Sequence, residues 1–139
     1  MNIRFYIKII FCLLTAKFVF AEVIDVNNEE MIKLSNVNIP IVDVRRSSEW
    51  DQTGVIPNSI LLTFFDEEGN YNFDEWYEKL QLEINVTDPI ILICRSGYRS
   101  KIVANMMDKE FNTTIYNAQS GINSWTVSYT HLRAHETRI

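Results

Sequence analysis

The length and charge of the chain limit both its architecture and its partners. Its 139 residues, 47% of them hydrophobic, suffice for one domain with a hydrophobic core. The formal net charge is −5, and residues 22–125 carry 17 acidic and 8 basic side chains, so we expect neither nucleic acid nor an anionic membrane surface as a partner.

Residues 1–21 are predicted to be a signal peptide that precedes the domain. A basic start and an apolar stretch lead to Val19-Phe20-Ala21, which offers a site for signal peptidase. The expected location is therefore periplasmic or secreted. Lys17 interrupts the apolar stretch, so an uncleaved membrane anchor is the alternative, and only then would the membrane be a partner. Cleavage would leave Cys94 as the only cysteine, which excludes a disulfide within the chain.

From residue 22 onwards, short β-branched runs alternate with helical patterns, and they predict strands and helices respectively. The predicted strands lie over residues 23–26, 41–45, 60–62, 89–93 and 113–117. The predicted helices lie over residues 29–34, from 47 to about 50, over 74–80 and over 101–109. This alternation predicts an α/β fold, a three-layer domain with a mainly parallel central sheet flanked by helices.

The helix predicted over residues 74–80 has an aromatic face. Phe73, Trp76, Tyr77 and Leu80 recur at the spacing of one helical face. We favour the interpretation that this face packs on the sheet, and a rim beside the functional site is the alternative.

A loop that contains a cysteine follows the strand predicted over residues 89–93 and leads into a helix. Its sequence is Cys94-Arg95-Ser96-Gly97-Tyr98-Arg99-Ser100. At such a junction the N–H groups of the loop and of the helix start can converge on one anionic atom, and a thiolate is such an atom. Gly97 permits a tight turn, and two arginines add positive charge. The loop therefore predicts an activated sulfur nucleophile, with a buried structural cysteine as the alternative.

This loop resembles the active-site loop of single-domain rhodaneses, which are sulfurtransferases. Together with the predicted signal peptide, it makes the chain similar to an exported bacterial member of that family. Further segments resemble other parts of the same family, namely Asp43-Val44-Arg45, Glu49, the turn over 54–59 and the closing segment over 118–125. Val55, Asn58 and Ser120 depart from the residues that the family usually has at these places. The resemblance covers residues 23–125, and it implies a rhodanese-like fold for a domain over 22–126.

The resemblance also implies roles for individual residues. Cys94 would attack the outer sulfur of thiosulfate or of a persulfide and hold it as a persulfide. The substrate-binding residues would be Arg95, Ser96, Gly97, Tyr98, Arg99 and Ser100, whose amides cradle the sulfur while Arg95 and Arg99 orient the donor. Asp43 and Arg45 would support the site, and we expect Arg45 to form an ion pair with Glu49. The expected partners are a small anionic sulfur donor and an acceptor, either cyanide or a thiol that a protein can supply.

Two other functions use the same loop. A persulfide carrier or a redox-sensing binding module would hold sulfur on Cys94 without fast turnover. A cysteine phosphatase or an arsenate reductase has five residues between the cysteine and the arginine, whereas four separate Cys94 from Arg99 here. A shorter loop suits a sulfur atom better than a tetrahedral oxyanion, so a sulfurtransferase is the favoured interpretation.

The tail over residues 127–139 resembles the translation of a sequencing-library adapter and is predicted to be non-native. Both histidines, His131 and His135, lie in this tail, so no histidine is expected to act as a base for Cys94. The sequence has no cluster of metal-ligating residues and no Gly-rich nucleotide loop, and we therefore expect no cofactor.

Overall fold

The computed structural model of the chain describes residues 22–125, so the predicted signal peptide and the tail over 127–139 lie outside the described residues. The strands are β1 (Glu22–Val26), β2 (Ile41–Asp43), β3 (Ile60–Leu61), β4 (Ile90–Ile93) and β5 (Thr114–Ala118). The helices are α1 (Asn28–Asn36), α2 (Ser47–Thr53), α3 (Phe73–Glu83) and α4 (Tyr98–Glu110), and residues 121–125 are also helical. Each predicted strand and helix is present, with bounds that differ by a few residues.

The five described strands form one sheet in the order β1-β5-β4-β2-β3, and every pairing is parallel. The predicted α/β class is thereby confirmed, and the sheet is wholly rather than mainly parallel. Because parallel strands all end at the same edge of a sheet, β2 and β4 bring Asp43 and Cys94 to one edge. Asp43 is in register with Ile93, the residue that precedes Cys94.

Helices cover both faces of the sheet, which makes the three layers. Along β4 the side chains alternate, so Ile90 and Leu92 pack on the side of α3 and α4. Ile91 and Ile93 pack on the opposite side, with α1 and the helical residues 121–125. All four residues of β4 are buried, as expected for a central strand of a parallel sheet. Cys94 continues the alternation and belongs to the side of α4.

The aromatic face of α3 is part of the core, as predicted. Trp76 and Leu80 are buried, and the indole N–H of Trp76 donates to the Leu62 carbonyl at 3.0 Å. Phe73 and Tyr77 are half-buried and stack on Phe111 at the end of α4. This face therefore joins α3 to α4, and the alternative of a rim around the functional site is not needed.

Two helix starts differ in their capping. At α1 the Asn27 side chain accepts from the Glu30 N–H at 3.0 Å, while Glu30 accepts from the Asn27 N–H at 2.8 Å. At α4 the cap is Gly97, which has a left-handed backbone and no side chain. The helix predicted over 101–109 accordingly begins three residues earlier, at Tyr98, and the loop after Cys94 contains only residues 95–97.

Among residues 22–125, no helix combines the length and the apolar character that crossing a membrane requires.

Candidate active site

Cys94 lies directly after β4, where the backbone turns into α4. Its side chain is 1% exposed, and the Gly97 N–H donates to its Sγ at 3.2 Å. Gly97 has φ 88°, and a Cβ at this position would overlap the carbonyl group of Gln119. Only glycine satisfies both the backbone angle and the contact. The sulfur is therefore held at the N-terminus of a thirteen-residue helix, where the helix dipole favours negative charge.

The segment after β5 supports the loop from behind. The N–H of Ile122 donates to the Cys94 carbonyl at 2.8 Å, and the N–H of Asn123 donates to the Arg95 carbonyl at 3.2 Å. Gly121 allows this approach, because a Cβ there would overlap the backbone of Arg95. Residues 118–125 were matched to the closing segment of the rhodanese family. In the structure, these hydrogen bonds show that the segment holds the backbone of the loop after Cys94 in place.

Ser100 is buried on the first turn of α4, close to the sulfur. Its hydroxyl Oγ lies 3.4 Å from Cys94 Sγ and 2.7 Å from Asn117 Oδ1. The Asn117 amide donates to Asp25 at 2.8 Å, and Lys101 donates to the same carboxylate at 2.9 Å. Asn117 and Asp25 were not predicted to belong to the site. An asparagine at the end of a predicted buried strand is a signal that could have indicated Asn117, because a buried amide needs hydrogen-bond partners.

Arg99 is in the site, but its charge is already paired. Its guanidinium forms two hydrogen bonds with the Glu49 carboxylate on α2, at 2.6 and 2.7 Å. These hydrogen bonds hold the pKa of Glu49 below its usual range, and they raise the pKa of Arg99. The ion pair ties α2 to the first turn of α4. That Arg99 also orients a substrate stays a prediction.

The predicted ion pair between Arg45 and Glu49 is wrong. Arg45 instead pairs with Asp43, with Nη2 2.7 Å from Oδ2 and Nε 2.9 Å from Oδ1. Both side chains are buried, and Arg45 also donates to the Gly54 carbonyl at 2.8 Å. A buried carboxylate requires a compensating cation and hydrogen bonds, and Arg45 supplies both from two residues away. Glu49 points to the loop and binds Arg99.

Three predicted residues are exposed around Cys94, namely Arg95, Ser96 and Tyr98. Tyr98 is 74% exposed. Within residues 22–125, Arg95 forms no salt bridge, whereas the neighbouring Arg99 and Lys101 pair with Glu49 and Asp25. Of these three basic side chains, Arg95 is therefore the one whose charge can bind an anion without breaking an existing ion pair.

The arrangement as a whole can perform covalent chemistry on sulfur. It combines a buried thiol, an N–H donor aimed at the sulfur, a helix N-terminus and an exposed guanidinium. In the part of the chain that the structure describes, no three acidic, histidine or cysteine side chains are grouped as metal ligands would be.

Comparison with known proteins agrees with this geometry. The sequence matches the family described as the Rhodanese-like domain over residues 27–128. The uncharacterized protein RP600 of Rickettsia prowazekii (strain Madrid E) is 34% identical over 93 residues, which are 66% of this chain and 74% of that protein. A putative sulfur carrier protein of Bacillus subtilis (strain 168), YrkF, is 29% identical over 92 residues, which are 66% of this chain and 44% of that protein.

A solved structure shows the same fold. The Rhodanese-like Domain Protein from Staphylococcus aureus superposes with a TM-score of 0.56 at 22% identity, over 73% of this chain and 90% of that one. The match in sequence spans most of the described residues and includes the whole loop around Cys94. The chain belongs to the rhodanese-like domain family.

Proposed function

We propose that the protein is a sulfurtransferase that carries sulfane sulfur on Cys94. The observation that carries the proposal is the position of Cys94 Sγ, which is buried at the start of α4 and accepts the Gly97 N–H at 3.2 Å. A donor aimed at the sulfur stabilises negative charge on it, both in the thiolate and in the transition state of sulfur transfer.

The reaction has two displacement steps. The Cys94 thiolate attacks the outer sulfur of thiosulfate, a new S–S bond forms, and the S–S bond of the donor breaks as sulfite leaves with its electron pair. An acceptor thiolate or cyanide then attacks the outer sulfur of the persulfide. The bond to Cys94 breaks, and the Cys94 thiolate is restored. No external oxidant or reductant is needed, because the sulfane sulfur changes partners only.

The charges around the loop support Arg95 as the residue that binds the anionic end of the donor. Arg99 is occupied by Glu49, and Arg45 is occupied by Asp43. Arg95 is exposed beside Cys94, so an incoming sulfonate can meet its guanidinium without breaking an existing ion pair. The acidic remainder of the domain would repel an anion, and a single local positive charge therefore directs it to the sulfur.

The size of the loop argues against a phosphatase or an arsenate reductase. Only residues 95–97 separate Cys94 from α4, and Arg99 already serves Glu49 instead of an oxyanion. A persulfide carrier without fast turnover is the second candidate. The similarity to the putative sulfur carrier of Bacillus subtilis favours it, although this chain spans only 44% of that protein. Turnover separates the two functions, since a carrier transfers one sulfur and an enzyme transfers many.

Replacement of the nucleophile tests the proposal. We expect Cys94→Ser to abolish multiple turnover from thiosulfate to cyanide, because a serine hydroxyl forms no persulfide. The measurement is thiocyanate formation per enzyme over time, with the urea midpoint of each protein as the folding control. Activity of the variant near that of the parent would contradict the mechanism, and a single sulfur transferred by the parent would favour the carrier.

Replacement of Arg95 tests the assignment of the donor's anionic end. We expect Arg95→Gln to raise KM for thiosulfate about fivefold, because an exposed charged contact contributes up to about 1 kcal/mol, with little change in kcat. Lys109→Gln at the end of α4 is the matched control, since it removes one surface charge away from the loop. Equal KM values for the parent and the Arg95 variant would show that the donor does not use this side chain.

We also propose that residues 1–21 direct export, which the basic start, the apolar stretch and the run ending at Ala21 support. Amino-terminal sequencing of the protein from an exporting bacterial host should begin near Glu22. A terminus at Met1 in the membrane fraction would instead show an uncleaved anchor.

A further inference from the structure

A chain of hydrogen bonds runs from the protein surface to the sulfur of Cys94. Asp25 lies on β1, Asn117 on β5 and Ser100 on α4. The Asn117 amide donates to Asp25 at 2.8 Å, and the Ser100 hydroxyl lies 2.7 Å from Asn117 Oδ1 and 3.4 Å from Cys94 Sγ. Ser100 and Asn117 are buried, whereas the Asp25 side chain is 45% exposed.

The direction of this chain is set at its outer end. Hydrogen bonds from Asn117 and then from Lys101 hold the pKa of Asp25 below its usual range, so at neutral pH the carboxylate is ionised and only accepts. Asn117 must therefore turn its Nδ2 to Asp25 and its Oδ1 to Ser100. The Ser100 hydroxyl has one proton, and its nearest acceptor is Asn117 Oδ1 at 2.7 Å, whereas the Gly97 carbonyl lies at 3.2 Å. A lone pair of Ser100 is left facing the sulfur.

The two forms of Cys94 respond differently to that lone pair. A thiol S–H can donate to it, whereas a thiolate finds no donor there unless the Ser100 proton leaves Asn117. We propose that Asp25 and Asn117 are positioning residues that limit the reactive thiolate of Cys94 by holding the proton of Ser100 away from the sulfur. The biological role of this inference rests on the proposed function, whereas the hydrogen-bond chain itself does not.

Other charges also face these groups. From the first turn of α4 they are Arg99 and Lys101, from α2 Glu49, and from the end of β2 the buried Asp43–Arg45 pair. Arg95 is exposed in the loop. A test must therefore separate the hydrogen-bond chain from a simple change of charge, and a double-substitution cycle does so.

The substitution Asn117→Leu removes the nearest acceptor of the Ser100 proton without changing any charge and with little change in side-chain size. The hydroxyl can then donate to the thiolate or to the Gly97 carbonyl, and the negative charge makes the thiolate the stronger acceptor. We expect the pH midpoint for alkylation of Cys94 by iodoacetamide to fall by about one pH unit, the effect of one hydrogen bond to a charged group. Mass spectrometry of the peptide that contains Cys94 gives the rate at each pH.

The same substitution in the S100A background is the control. Any general effect of the substitution on the polarity around Cys94 acts in both backgrounds, whereas the hydrogen-bond effect requires the Ser100 hydroxyl. We expect a fall of about one pH unit in the parent background and little change in S100A. Asp25→Ala in the same two backgrounds keeps the test valid if Asn117→Leu does not fold, because it removes the acceptor that fixes the Asn117 amide and lets Asn117 Nδ2 turn to Ser100.

Two results would overturn the inference. Equal shifts in both backgrounds would show that the substitution acts on Cys94 without the Ser100 hydroxyl, and an unchanged midpoint in the parent background would show that the hydrogen-bond chain does not act on Cys94. Alkylation does not require sulfur transfer. A protein without turnover but with the expected shifts would therefore contradict the proposed function and leave the inference intact. A protein with turnover but without the expected shifts would contradict the inference alone.

Discussion

The contact between Gly97 and the Gln119 carbonyl is the constraint on which the site depends. A side chain at Gly97 would overlap that backbone, so the left-handed turn that starts α4 is available to glycine alone. Because α4 starts there, the Gly97 N–H meets Cys94 Sγ and Ser100 lies on the first helical turn beside the sulfur. Gly121 makes the equivalent close approach to Arg95 from behind the loop. Two glycines thus fix the sulfur, its donor and its neighbours in one geometry.

Paired charges complete the frame around this loop. The Asp43–Arg45 pair is buried at the end of β2, and the Glu49–Arg99 pair joins α2 to α4. Each carboxylate compensates an arginine, so the pairs hold the elements together and contribute little net charge to the site. Arg95 is left exposed at the entrance. The domain can therefore be acidic as a whole and still attract a small anion to one point.

Some features of this site are local in the sequence, and those could be predicted. The β-branched run of β4, the glycine after Cys94 and the helical pattern of α4 all lie within residues 90–110, so the strand, turn and helix followed from propensity and spacing. The alternation of strands and helices gave the parallel α/β class for the same reason. The start of α4 was placed too late because the cap is a left-handed glycine and not a side chain.

The partners of buried polar groups could not be predicted in this way. Asn117 and Asp25 are separated by 92 positions and meet only because β5 pairs with β1. Arg45 was expected to pair with Glu49, but burial of the Asp43 carboxylate decided its partner.

The most direct test of the whole account is the intact mass of the protein after incubation with thiosulfate. The account predicts one added sulfur atom, located on Cys94 and removed by a thiol reductant, whereas an unchanged mass would contradict it.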